Sequence, residues 1–311
     1  METSERKAER ATELFDTLGG TVVDGFPAIH SPVFHTGAGT PYLKAPGVVM
    51  LARPRTNVAG LAGFLEGFDP ELGFPGYLDD PTRLPDSSQL CKTAGQLCYA
   101  SFGPRHTTNE NAAAYFERLT SAGHGSVLEH ASFSFLLYGI SRSVTHELVR
   151  HRAGVGFSQI SQRYVSNSVL RFVERPEYQE DEELHSLFEE RADRAAAEYG
   201  EMAERLLERQ EGGNSMLSAD HKTDARKKVQ QTARSLLPNE TEAPMVFTAN
   251  VRALRHIIEM RADAHAESEI RTLALRLFLC AVTVDPILFG DYRIGELLDG
   301  TFTVSTEHRK A

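Results

Sequence analysis

Apolar positions recur at helical spacing through most of the second half of the chain and only sparsely in its first quarter. Over residues 181–211, Leu184, Phe188, Ala192, Ala195, Tyr199, Met202 and Leu206 step by fours and threes. That spacing puts one stripe on one face and predicts a helix, ended by Gly212-Gly213-Asn214. Residues 222–236 predict another, stopped by Pro238. Residues 251–282 predict one long helix or two short ones, with Asn250 as N-cap and Val251, Leu254 and Ile258 as the buried stripe. Upstream, residues 112–123 follow an Asn111 N-cap and stop at Gly123. The stretch ASFSFLLYGI (131–140) alternates and is aromatic, the pattern of a strand. SRSVTHELVRHR (141–152) predicts a helix with Ile140, Val144 and Leu148 on one stripe and Arg142, His146 and Arg150 on another.

The first 88 residues read differently. A short polar helix over residues 1–18 ends near Gly19-Gly20, and Gly and Pro then punctuate the text as far as Ser88. Within it, VVML (48–51) predicts a strand and residues 57–68 a short helix. HTGAGT (35–40) resembles a phosphate loop, but Tyr42 stands where the third glycine of G-x-G-x-x-G belongs, so it reads as a turn. The elements together predict an α+β fold with a predominantly helical second half and a small antiparallel sheet.

Composition narrows the class of protein. The chain has 311 residues, 41% of them hydrophobic, which allows one large domain or two smaller ones. No apolar run approaches membrane-spanning length, and METSERKAER is too polar for a secretory leader. Cys91, Cys98 and Cys280 form neither an even set nor a C-x-x-C pair, which predicts buried thiols in a reducing cytosol. The 33 Lys and Arg against 43 Asp and Glu leave a net charge of −10, which argues against general nucleic-acid affinity. Any bound anion is expected to be small and met at one site.

Against that acidic background, residues 140–172 carry Arg142, Arg150, Arg152, Arg163 and Arg171, with two histidines and the single acid Glu147. Cations at a helix C-terminus can be plain dipole compensation. That accounts for one or two charges, but not for Arg163 and the hydroxyls and amides that follow in SQISQRYV. This stretch alternates like a strand, with Gln159, Ser161 and Arg163 on one side. Guanidinium groups bind phosphate through paired hydrogen bonds, and Ser and Gln add neutral donors. Two readings stand on these residues: a site for a phosphorylated small molecule, and a structural ion-pair network. GFSQI is not G-x-S-x-G, because Ile160 replaces the final glycine, and HGSVLEH (124–130) matches neither zinc motif. Neither a serine hydrolase nor a catalytic metal is expected. Downstream, Arg252 and His256, and Arg261 and His265, are spaced four apart, each pair on one face if the helix continues, with Arg234 before LLP. A bound anion accounts for two such pairs better than solvated surface does.

These segments together resemble the flavin-dependent thymidylate synthases. The family's signature is RHR, a spacer, then a serine followed by Arg-Tyr. It stands here as Arg150-His151-Arg152 and Ser161-Gln162-Arg163-Tyr164. GHGSVLEH (123–130), ARSLLP (233–238) and NVRALRHIIEMRADAHAESEIR support it in the right order over roughly residues 89–290. The family pattern has seven residues between RHR and the serine and this chain has eight, the extra one falling within 153–157.

The resemblance implies reductive methylation of dUMP to dTMP, with 5,10-methylenetetrahydrofolate giving the carbon, FAD carrying the hydride and NADPH reducing the flavin. It implies a flavin site unlike the Rossmann fold, a cytoplasmic homotetramer with shared active sites, and no nucleic-acid or membrane partner. By motif match, Glu147, Arg150, Gln159, Ile160, Ser161, Gln162, Arg163, Arg234 and Arg261 would hold dUMP, and Arg261 would be catalytic. Ser101, Ser126, Glu129, Arg150, His151, Arg152, Gln159, Asn250, Arg252, His256 and His265 would contact FAD. The implied division is an N-terminal extension (1–88), a catalytic domain (89–300) and a tail (301–311). A catalytically inactive relative that still binds nucleotide and flavin, and an RNA-binding module using the arginine face, are the alternatives.

Overall fold

The computed structural model describes residues 4–161, 170–211 and 222–308. Helix α1 (Ser4–Thr17) turns Ala11, Leu14 and Phe15 into the core and ends at Gly19, whose φ is +72°. Strands β1 (Gly20–Val23) and β2 (Phe26–Ile29) form a hairpin. Asp24 and Gly25 turn it with φ of 51° and 79°, the positive pair that a two-residue hairpin loop requires. Strands β3 (Val33–His35) and β4 (Pro41–Leu43) flank the HTGAGT stretch, which is a turn as its residues indicate. Strand β5 (Gly47–Ala52) contains VVML.

The expected helix at 57–68 is only a 3-10 turn followed by the four-residue α2 (Ala62–Leu65). Its three glycines weaken a regular helix. Next come α3 (Asp86–Cys98), α4 (Ala112–Ser121), β6 (Ser132–Tyr138), α5 (Arg142–Leu148), β7 (Val155–Gln159) and β8 (Phe172–Val173). Helices α6 (Pro176–Gln179), α7 (Glu182–Glu211) and α8 (Lys222–Ala233) follow, then β9 (Met245–Asn250) and α9 (Val251–Arg261). The chain closes with α10 (Ser268–Val284), α11 (Pro286–Phe289), β10 (Arg293–Glu296) and β11 (Phe302–Ser305).

The main sheet runs β1-β2-β5-β6-β9-β7, antiparallel throughout. Alternation along β6 buries Phe133, Phe135 and Leu137, and along β9 Met245, Phe247 and Ala249. These side chains share one core with α9 and with α10, which is apolar nearly all round and buried accordingly. Strands β1, β2 and β5 are half of this sheet, so Phe26, Ile29, Val48 and Met50 share that core. Strands β3, β4 and β8 form a small mixed sheet, and β10 and β11 a hairpin. The fold is α+β. Among the described residues, no helix is long and apolar enough to cross a membrane.

Of the two readings of residues 251–282, the structure has two helices, broken after Arg261. Other expectations need correction. Asn111 does not cap α4 with its side chain, because it ends the 3-10 turn Asn109–Asn111 with ψ of 16°, not the extended backbone that aims a capping oxygen at the next amides. Cys91 and Cys280 are buried but Cys98 is exposed. The α7 stripe buries Phe188, Ala192, Ala195 and Tyr199 and leaves Leu184 and Met202 at 40% exposure.

Candidate active site

Helix α5 stops at Leu148 rather than running to Arg152. Its N-cap Ser141 accepts from Val144 N, and Ser141 in turn donates its own N–H and hydroxyl to the Glu269 carboxylate, both at 2.7 Å. At the other end, Arg150 N bonds back to Glu147 O and His151 N to Leu148 O, the i→i+3 pattern of a tightened last turn. The Arg150-His151-Arg152 motif therefore lies on a turn. Gly154 (φ +70°) lets this turn dock on α9: its carbonyl accepts from Asn250 N at 2.9 Å, and a Cβ there would meet the Asn250 amide at 2.5 Å. The chain then enters β7 at Val155, earlier than the alternation from Ser158 indicates, because pairing with β9 begins at Val155.

Helix α9 supplies the other wall. Asn250 caps it by accepting from Ala253 N at 2.9 Å. Leu254, Ile257 and Ile258 face the core, while Arg252 and His256 are exposed on the opposite side. Arg261, the last helical residue, donates through Nε to His151 Nε2 at 3.0 Å, through Nη1 to Glu147 Oε2 at 2.8 Å, and through Nη2 to the Glu147 carbonyl at 3.1 Å. The His151 and His256 rings meet edge-on, 5.7 Å between centroids. Arg252 pairs with Glu129 at 2.5 Å.

Burial, with Arg261 and His256 beside it, pushes the His151 imidazole down to about 4, so it is neutral at neutral pH. Because Arg261 Nε–H can only donate, His151 Nε2 carries a lone pair and the ring proton sits on Nδ1. Burial raises the Glu147 carboxyl above the ordinary range, against the lowering pull of Arg261.

Two clefts flank α9. One of about 370 Å³ is lined by Ser126 and Arg252 with Gly95, Tyr99, Tyr115 and His124. The other, about 620 Å³, is lined by Glu147, Arg261, His265 and Glu267, with β11 across from them. Arg252 and Arg261 open onto different clefts, about 13 Å apart along the axis by helix rise.

The remaining expected residues fall in several places. Arg150 and Arg152 are exposed on their turn; Gln159 and Ser161 are half-buried at the end of β7, and Ile160 N donates to Pro244 O. Gln162 and Arg163 lie outside the described residues. His265 does not share a helical face with Arg261, because α9 has ended; it is exposed and paired with Asp263 at 2.8 Å. Ser101 follows the C-terminus of α3, and Arg234 sits in the 3-10 turn after α8. Among the described residues, no contact joins either to the Arg261 cluster. Sequence reasoning missed Glu267 and Arg175, neighbours of Glu147; their spacing to Glu147 carries no periodic signal.

Cations on two sides of α9, the last of them held by a neutral imidazole and a carboxyl, have the chemistry that suits small anionic ligands. The comparisons with known proteins sharpen that class. Residues 81–287 match the family described as thymidylate synthase complementing protein. A flavin-dependent thymidylate synthase of Mycobacterium sp. (strain KMS) is 44% identical over 239 residues, covering 76% of this chain and 92% of the relative. One of Mycolicibacterium vanbaalenii is 44% identical over 234 residues, covering 74% and 90%. Another, of Mycobacterium tuberculosis (strain ATCC 25177 / H37Ra), is 42% identical over 213 residues, covering 68% and 82%. The chain belongs to the flavin-dependent thymidylate synthase family.

Proposed function

We propose that this protein methylates dUMP reductively to dTMP, taking the carbon from 5,10-methylenetetrahydrofolate and its reducing equivalents from NADPH by way of FAD. The observation that carries the reading is the hold on Arg261. Three of its five N–H donors are committed to His151 and Glu147, which aims the guanidinium and leaves two without an acceptor among the described residues.

The donor set fits FAD. A dinucleotide brings a diphosphate and flat rings; Arg150, Arg152, Arg252 and His256 present cationic or hydrogen-bonding groups outward. Gly123 leaves open space where a Cβ would stand, beside the cleft that holds Ser126. Bound there, FAD would supply hydride chemistry that side chains lack. Glu129 orients Arg252, and His151 Nδ1–H offers a fixed donor. Asn250 contributes its amide N–H while its oxygen caps α9.

Arg261 faces the uracil ring. Its remaining N–H groups stabilise negative charge as N3 loses its proton and C5 becomes nucleophilic, an electrostatic role in a partly desolvated site. Arg163 and Arg234 take the phosphate, and Gln159, Ile160, Ser161 and Gln162 line the nucleotide. Ser161 is a hydrogen-bonding ligand, not the nucleophile. Ser101 and Arg234 enter from other copies of the chain in a cytoplasmic homotetramer whose sites are shared.

The test is anaerobic reduction of the flavin by NADPH, followed by visible absorbance with and without dUMP. Bleaching that dUMP triggers or accelerates supports the reading. A colourless protein that takes up no added FAD, or one indifferent to dUMP, overturns it.

A further inference from the structure

Arg261 is the last residue of α9, and residues 262–267 turn the chain from there into α10. Two carbonyls of this loop, Ala264 O and Ala266 O, accept from a single nitrogen, Arg271 Nη1, at 3.1 and 3.0 Å. The other end of the same guanidinium leaves the loop. Arg271 Nη2 donates to Thr301 Oγ1 at 2.7 Å and to Asp299 Oδ2 at 3.2 Å, both in the connection between β10 and β11. The Thr301 hydroxyl donates in turn to Asp299 Oδ1 at 2.6 Å. Further along the hairpin, Val304 N donates to Ala262 O at 3.1 Å, so β11 meets the loop at a second point. The loop and the hairpin are opposite walls of the larger cleft: Arg261 and Glu147 stand on one side, Thr303 and Ser305 on the other. Arg271 is buried and does not line the cleft, yet it joins both walls. Its Nε–H is buried without an acceptor among the described residues, so the contact is a weak source of stability. What a planar guanidinium adds is geometry, because the position of one wall fixes that of the other.

We propose that Arg271 is a positioning residue for the nucleotide: by bridging the 262–267 loop to the β10–β11 connection, it sets the width of the cleft onto which Arg261 opens. This rests on the reading of Arg261 as the group that meets the uracil ring. The role makes the C-terminal hairpin, which lies beyond the residues 81–287 that match the family, a wall of the working site. Glu269, two positions earlier on α10, holds Ser141 at the start of α5, the helix that carries Glu147. The first turn of α10 therefore registers both segments that meet at Arg261. If the hairpin arm is cut, β11 can recede, water enters, and the charge interactions of Arg261 with a bound nucleotide weaken. Lysine is no substitute, since one ammonium cannot serve the loop carbonyls and the hairpin together.

The decisive variant cuts the hairpin arm alone. Thr301→Val/Asp299→Ala removes both acceptors of Nη2 and leaves the loop bonds and the cleft lining in place. In the FAD-loaded full chain, the dUMP dissociation constant by calorimetry and the dUMP KM should both rise about tenfold, with kcat within about threefold and FAD content equal to the parent's. Arg271→Lys should weaken dUMP by about the same factor. A purely structural tie would lower the thermal midpoint and leave the folded protein's affinity for dUMP unchanged. A double variant that binds dUMP within about twofold of the parent therefore overturns the proposal, whatever its midpoint. Parallel loss of FAD and dUMP overturns it too, since that marks general loosening. If the parent protein itself binds no dUMP, the reading of Arg261 fails and this role with it.

Discussion

Arg261 Nε donates a 3.0 Å hydrogen bond to His151 Nε2, and that contact determines the protonation state of an imidazole that stands between two arginines in sequence. An arginine never accepts, so protonating Nε2 would set two donors against each other. The folded His151 titrates at about 4, below the 6.5 of an unperturbed imidazole. The unfolded chain therefore binds the extra proton first. Stability from this group is fully present above pH 6.5 and drains as pH falls towards 4. The expected loss is about 2 kcal/mol after discounting for partial exposure. Thermal midpoints recorded across that window should fall more steeply for the parent protein than for His151→Gln; parallel curves would contradict this assignment.

Arg261→Ala should abolish dTMP formation, a loss of at least about 10³-fold, because it removes the donors aimed at the developing charge. Arg261→Lys should fare little better, since a point charge cannot serve His151 and Glu147 together. Ser161→Ala should keep measurable turnover. A folded Ser161→Ala that binds dUMP yet is wholly inactive would reinstate the serine as nucleophile.

A buried ion pair supports α9 from behind. Arg255 is 2% exposed and donates to both oxygens of Asp291, at 2.7 and 2.8 Å, and to Leu288 O, with its guanidinium over the Tyr292 ring. Arg255→Ala should lower the unfolding free energy by about 3–5 kcal/mol, because it strands Asp291 and a carbonyl. Urea unfolding measures it, and the double variant Arg255→Met/Asp291→Asn should recover part of the loss.

Helix α3 ends in a Schellman turn. Ala100 N bonds to Leu97 O and Ser101 N to Gln96 O, with Ala100 at φ 47° where glycine is usual. Ala100→Gly should stabilise the fold by about 0.5–1 kcal/mol, read as a raised thermal midpoint, because it relieves the left-handed backbone. A lowered midpoint would show that the methyl group carries packing the turn needs.

Helix termini show where sequence legibility ends. Gly19 and Gly123 stop α1 and α4 as their positive φ requires, and Asn250 caps α9. Asn111 has the same chemistry and does not cap, because a preceding 3-10 turn gives it ψ of 16° where Asn250 has an extended 163°. Helix α5 closes at Leu148 although RHR has good helical propensity, because its tightened last turn and the docking of Gly154 on Asn250 carry the chain off the helix axis.

Local periodicity, read without coordinates, already determined the α+β class, nearly every long helix and the strand at 131–140. Those features depend on neighbours within a few positions, where side-chain direction follows from backbone period alone. Tertiary structure alone decided that residues 20–52 supply half of the main sheet. It also set His151 and Glu147 against Arg261, more than a hundred residues downstream. Strand partners and charge partners are chosen by pairing between distant segments, and no period along the chain records that choice.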